Sequence, residues 1–253
     1  MPLVTLLPWR RRRALDDTSI DPVDVAARWV PGWNRLTSDQ QVHLVDEAAA
    51  FADHVRFEAA RGFDLTPETR LAVSSTAALL TLGLDEGVEA YRGVTSVIVH
   101  RTAIVQRGAR PVGGGLYTDS IGWLAGQAHH RGPVVIAWDS ARRNARLPER
   151  GENVLVHEFA HRLDMLDGVV DGTPLLDAHP GVARWVEVCT EAYERLRSGG
   201  EIGVLRPYAA TNAGEFFAVA TEAFFTLPDR LREDEPALYE VLAGFYRQDP
   251  AAA

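Results

Sequence analysis

The stretch His157-Glu158-Phe159-Ala160-His161 constrains this chain more than any other. On a helix, residues four apart stand one turn above each other on the same face. The two imidazoles then converge on one metal ion, with bonds of about 2.0–2.1 Å if the ion is zinc. Glu158, beside the first histidine, reaches a water held by that ion without ligating the metal itself. The segment from Asn153 to Met165 is therefore predicted as a helix that carries half of a metal site. A catalytic ion takes three protein ligands and leaves a fourth position open. The rest of the chain has to supply the third.

The remaining sequence is that of a protein able to bury such a helix. Its 253 residues, 46% hydrophobic and 24% charged, suffice for a substantial core. A net charge of −9 argues against a general nucleic-acid binder, whose domains are usually basic. Cys189 is the sole cysteine, which excludes an internal disulfide and a thiolate cluster and suits a reducing, cytoplasmic location. It is read as a core residue of a helix. No run of 18 apolar residues occurs, so no membrane span is expected. Residues 3–7 are apolar and 10–13 are four arginines, the reverse of the order in a signal peptide. Residues 1–20 are read as a flexible basic arm.

Punctuation along the chain predicts helices first. A short one over residues 21–30 is stopped by Pro31-Gly32. Thr37-x-x-Gln40 resembles a capping box, and helical apolar spacing follows from Val42 to Val55, with Gly62 ending the run. Thr66-Pro67-Glu68 opens a third helix reaching about Leu82. His43 and His54 lie too far apart on one helix to share a metal. The character changes near Thr95. Residues 96–100, 103–106, 121–125 and, most clearly, 132–138 read as strands. Gly113-Gly114-Gly115 is read as a turn and not a phosphate loop. His129 and His130 point apart on an extended backbone. Residues 138–150 are read as a polar connection carrying Arg142, Arg143, Arg146, Glu149 and Arg150. Helices are expected again over 180–197, within 207–227 and over 235–247. Helices, a small mixed sheet, then helices indicate an α+β fold. The expected organisation is a single domain over 21–253, helical to about residue 92, with the sheet and site from about 93 on.

Several acids follow the histidine helix. Glu187, Glu191 and Glu194 belong to a charged, solvated face. Glu215 and Glu222 lie seven apart in an otherwise apolar helix, where a carboxylate is costly to bury unless paired or bound to metal. Asn212-x-x-Glu215 also fits a capping box, and Glu222 also fits a surface acid or a partner of a ligand histidine. Spacing leaves the choice between them open. Asp164, one turn beyond His161, can orient a ligand imidazole or serve as a cap or surface acid. Residues 134–138 form either an edge strand able to pair with an extended peptide or a strand buried in the sheet.

The segment from His157 to Asp164 followed by Asp167-Gly168, and then Tyr208-Ala209-Ala210-Thr211-Asn212-x-x-Glu215-Phe216-Phe217-Ala218-Val219, resembles the Mlc titration factor A family of zinc peptidases. Arg61-Gly62-Phe63, residues 132–138 and Phe224-Phe225-x-x-Pro228 extend the likeness to about residues 36–250. The same tyrosine-to-glutamate spacing occurs beside HEFxH in anthrax lethal factor-type peptidases, which the chain resembles more distantly. The resemblance implies a zincin-like fold and one Zn2+ per chain held by His157, His161 and Glu215. It also implies Glu158 as general base and Tyr208 as donor to the transition state. Its implied activity is aminopeptidase-like cleavage of peptides, and its implied partner a glucose repressor of the Mlc type. The rival expectation is a regulatory binding protein that sequesters a transcription factor without needing catalysis.

Overall fold

A computed structural model describes residues 20–102, 111–112, 116–117, 132–169, 171–174, 181–200 and 203–252. Helix α1 (Pro22–Trp29) begins where Asp21 accepts a hydrogen bond from the Val23 N–H, with proline at its first position. Helix α2 (Ser38–His54) carries the complete capping box of Thr37 and Gln40. Thr66 caps α3 (Pro67–Thr81) through the Thr69 N–H. Almost every residue of α3 from Thr69 on is buried, so this helix is wrapped on all sides.

Between α2 and α3 the chain departs from expectation. The apolar period of α2 does not run on toward Gly62. The helix stops at His54, and Arg56–Ala59 forms strand β1. Phe57 points into the core while Arg56 faces solvent, an alternation that only an extended backbone allows. Strands β2 (Ser96–His100) and β5 (Val134–Ala137) complete a sheet of order β1-β2-β5 in which both pairings are parallel. Where one small mixed sheet was expected, this sheet is wholly parallel among the described residues, and the antiparallel pair β3 (Pro111–Val112) and β4 (Leu116–Tyr117) is separate. Among the described residues β5 is paired on one side only, to β2, and so lies at the sheet edge. The strands expected at 103–106 and 121–125, with Gly113–Gly115, His129 and His130, lie outside the described residues.

Two more helices were missed by the period. Residues 138–146, read as a polar connection, form α4 (Trp138–Arg146), whose Trp138, Ala141 and Asn144 are buried beneath an arginine-rich outer face. Pro228–Asp234 forms α8, between α7 (Ala213–Thr226) and α9 (Pro236–Tyr246). Helix α6 (Gly181–Arg197) exposes Glu187, Glu191 and Glu194 as expected, and Cys189 packs, half-buried, against the core. Burial raises its thiol pKa to about 12.

The core forms one cluster that runs from Val25 to Ala251. At its centre stands α5 (Val154–Asp164), the helix of the two histidines. Phe159 is wholly buried, with ring centroids 5.5 Å from Phe51 and 5.2 Å from Tyr91. Burying a phenylalanine contributes roughly 1.5–3 kcal/mol, which anchors the side of the helix away from the histidines. Among the described residues no helix is long and apolar enough to cross a membrane.

Candidate metal centre

Helix α5 starts sharply. Gly151 holds the chain in a left-handed turn, and a side chain there would strike Leu227. Asn153 then caps the helix, its Oδ1 accepting from the Leu155 and Val156 N–H groups at 3.1 and 3.2 Å. Buried Asn144 of α4 takes the Val154 N–H at 3.0 Å. The polar connection of the sequence reading therefore places one of its members at the head of the metal-site helix. At the other end Arg162 donates to the Pro133 carbonyl and so pins α5 to the entry of β5.

One turn apart on α5, His157 and His161 bring their Nε2 atoms within 3.1 Å of each other, and both rings are buried. Glu215 arrives from the first turn of α7. Asn212 caps that helix by accepting the Glu215 N–H at 2.9 Å. The reciprocal bond of a capping box is not made. The Glu215 carboxylate turns instead to the histidines, with Oε2 3.1 Å from His157 Nε2 and 3.5 Å from His161 Nε2. Burial opposes its charge, but the two imidazoles beside it hold its pKa well below the usual carboxylate range. Its place in the first helical turn adds to that preference.

Glu222, the other acid of α7, does a different job. It lies one face-repeat further on, 1% exposed, and its Oε1 stands 2.8 Å from His157 Nδ1. Its Oε2 accepts the Asn153 N–H at 2.5 Å. A carboxylate at Nδ1 fixes that nitrogen as the ring's donor and leaves Nε2 as a lone pair. The spacing could not choose between Glu215 and Glu222; the geometry separates them into inner and outer positions.

The inner cluster has a donor set able to hold a cation. His157 Nε2, His161 Nε2 and Glu215 Oε2 converge on one another, and buried Glu215 Oε2 makes no hydrogen bond of its own. These atoms lie within 4.8 Å of one another, the one His/Cys/Asp/Glu cluster of this kind among the described residues. Ligands of a tetrahedral ion with bonds of about 2.0–2.1 Å stand about 3.3–3.4 Å apart. The three separations here, 3.1, 3.1 and 3.5 Å, match that edge. The residues present fit a metal ion. Burial disfavours a charged His157, yet Glu215 and Glu222 outweigh it and raise its pKa to about 10.

Two further groups face the cluster. Glu158 retains part of its surface, yet its surroundings are desolvating enough to raise its pKa, a shift partly offset by His157 and His161. Tyr208 sits in a short 3₁₀ turn, Pro207–Ala210, with its ring centroid 6.2 Å from that of His157. Burial first, then the Glu215 carboxylate, raises its hydroxyl pKa, so the phenol stays a donor. Asp164 is wholly buried at the end of α5, near enough to Tyr246 for its charge to raise the pKa of that phenol. Two functional-site residues escaped the sequence reading. Arg206, which donates to Glu222, and Glu152, 3.7 Å from Arg206, carry no motif by which spacing could find them.

A family model described as glucose-regulated metallo-peptidase M90 matches residues 6–247. An uncharacterized protein of Synechocystis sp. is 32% identical over 225 residues, 87% of this chain and 81% of that protein. Mlc titration factor A of Klebsiella pneumoniae is 31% identical over 229 residues, covering 88% and 84% of the two chains. Mlc titration factor A of Yersinia pestis is 30% identical over 242 residues, with 90% and 87% covered.

Proposed function

Since the chain belongs to the glucose-regulated metallo-peptidase M90 family, we propose that it is a zinc-dependent aminopeptidase-like enzyme with His157, His161 and Glu215 as ligands. The observation that carries this reading is the convergence of three buried acceptors, each within 3.5 Å of the other two. Zinc held by these three residues would supply a Lewis acid for the scissile carbonyl and would lower the pKa of a water to about 7. Glu158 takes the proton of the attacking water and passes it to the departing amine; its raised pKa suits both halves of that shuttle. Tyr208 donates its hydroxyl hydrogen bond to the carbonyl oxygen as charge develops there. Strand β5, at the sheet edge among the described residues, offers backbone groups to an extended peptide, with Arg162 holding the strand entry against the site helix. The single core cluster supports one domain over residues 21–253, and the lone cysteine suits the cytoplasm.

The name of the relatives, Mlc titration factor A, favours a second reading in which the chain regulates sugar uptake by binding a repressor of that kind. A purely sequestering protein has no use for Glu158 or Tyr208, whereas an enzyme needs both. Metal analysis and hydrolysis of aminoacyl-anilides divide the two. The enzyme reading expects one zinc per chain, and expects Glu158→Gln to keep the metal while cleavage drops at least about a hundredfold. A Glu158→Gln protein cleaving at the wild-type rate removes the general base. Metal-free protein from careful purification removes the reading altogether.

A further inference from the structure

Glu222 is held by more than His157. Arg206 Nη2 donates to its Oε1, and Arg206 Nη1 stands 3.7 Å from Glu152 Oε1. Glu152 in turn accepts from Asn144 Nδ2 at 3.3 Å, and the same Asn144 takes the Val154 N–H at the start of α5. One planar guanidinium thus faces two carboxylates, which are 1% and 8% exposed, from different elements. A buried carboxylate needs a partner, and a forked donor can serve two where a point charge serves one.

The backbone of Arg206 has a second task. It opens the 3₁₀ turn that carries Tyr208, its carbonyl accepting the Ala209 N–H at 3.0 Å. The far end of the turn is closed by Thr211, whose N–H and hydroxyl both bond the Tyr208 carbonyl, at 3.0 and 2.7 Å. The turn is therefore stiff within itself. Through the Arg206 side chain it is also fastened to the carboxylate that orients His157.

Resting on the metallopeptidase reading above, we propose that Arg206 is a positioning residue that couples the Tyr208 turn to the His157–Glu222 pair. Its fork sets the distance between the phenol and the ligand imidazole, and it holds Glu222 in the rotamer that aims His157 Nε2 at the metal. Neither task requires Arg206 to touch substrate.

The test uses the full chain as wild type, Arg206→Gln, Arg206→Lys, Tyr208→Phe and the Arg206→Gln/Tyr208→Phe double variant. Three readouts are taken: zinc affinity by chelator competition, the visible spectrum of the Co2+-loaded protein, and kcat and KM on an aminoacyl-anilide. Arg206→Gln is expected to lower zinc affinity or kcat about 10–100-fold, the range typical of outer-shell partners, with KM little changed and an altered Co2+ spectrum. Arg206→Lys, which keeps the charge and the fold but not the fork, recovers part of that loss. In the double variant the two losses overlap instead of multiplying. Unchanged metal affinity, spectrum and kcat in both Arg206 variants, or losses that multiply, would overturn the proposal. A wild-type chain that takes up no zinc and cleaves nothing refutes the enzyme reading instead, so the two failures are distinguishable.

Discussion

At the residue scale the two acids of α7 show how position on one helix assigns chemistry. Glu215, in the first turn, presents Oε2 between two imidazole lone pairs; Glu222, two turns on, presents Oε1 to the donor side of the same His157 ring. On the proposed ligand set, removing the inner one takes away a ligand, and removing the outer one frees the ring it orients. Glu215→Ala is therefore expected to abolish zinc retention through dialysis. Glu222→Gln should keep the metal with affinity lowered about 10–100-fold. Chelator competition on the two variants reads the difference directly. Equal affinities would mean that the inner and outer assignment is wrong. Glu222 also carries the Asn153 N–H and Arg206, so its loss will reach stability as well as metal binding.

At the element scale, what was legible in the sequence followed from how local the governing chemistry is. Thr37 with Gln40, and Thr66 with Pro67, announce their helices because the cap bonds span three residues. The i, i+4 histidines announce α5 for the same reason. Strand β1 was illegible, since four residues alternating Arg-Phe-Glu-Ala continue a helical pattern as plausibly as they start an extended one. Only pairing with β2, forty positions on in register, decides it. Helix α4 read as a polar loop because its apolar face is narrow, and Trp138, Ala141 and Asn144 gain their meaning from tertiary burial. The metal site was half local and half supplied by resemblance. Its outer layer of Asn144, Glu152, Arg206 and Glu222 joins four separate segments, so no spacing rule reaches it. The helix start that this layer supports is testable. Asn153→Ala removes the acceptor of two N–H groups and should cost about 1 kcal/mol in urea unfolding. A variant as stable as wild type would show that Asn144 and Glu222 fix the start of α5 without the cap.

At the scale of the whole molecule the proposed metal site would act as a clasp between segments distant in sequence. His157 and His161 come from α5, at the centre of the core, and Glu215 from α7, more than fifty positions later, packed directly against it. An unfolded chain does not hold these three atoms ready within one coordination sphere, so an ion bound here favours the folded state. The folded state is then stabilised by mass action, by about 4 kcal/mol when free ion exceeds its dissociation constant a thousandfold. For a chain of this size each kcal/mol moves the melting midpoint by roughly 2–4 °C. Removing the metal with a chelator should therefore lower Tm by about 8–16 °C, and restoring zinc should recover it. The same treatment of Glu215→Ala should shift Tm little, because that variant has lost the clasp already. Differential scanning calorimetry on the two proteins, with and without chelator, makes the comparison. A chelator shift of equal size in both would place the stabilising ion somewhere other than between α5 and α7. The paired experiment thus locates the ion, and does so by a route independent of catalysis.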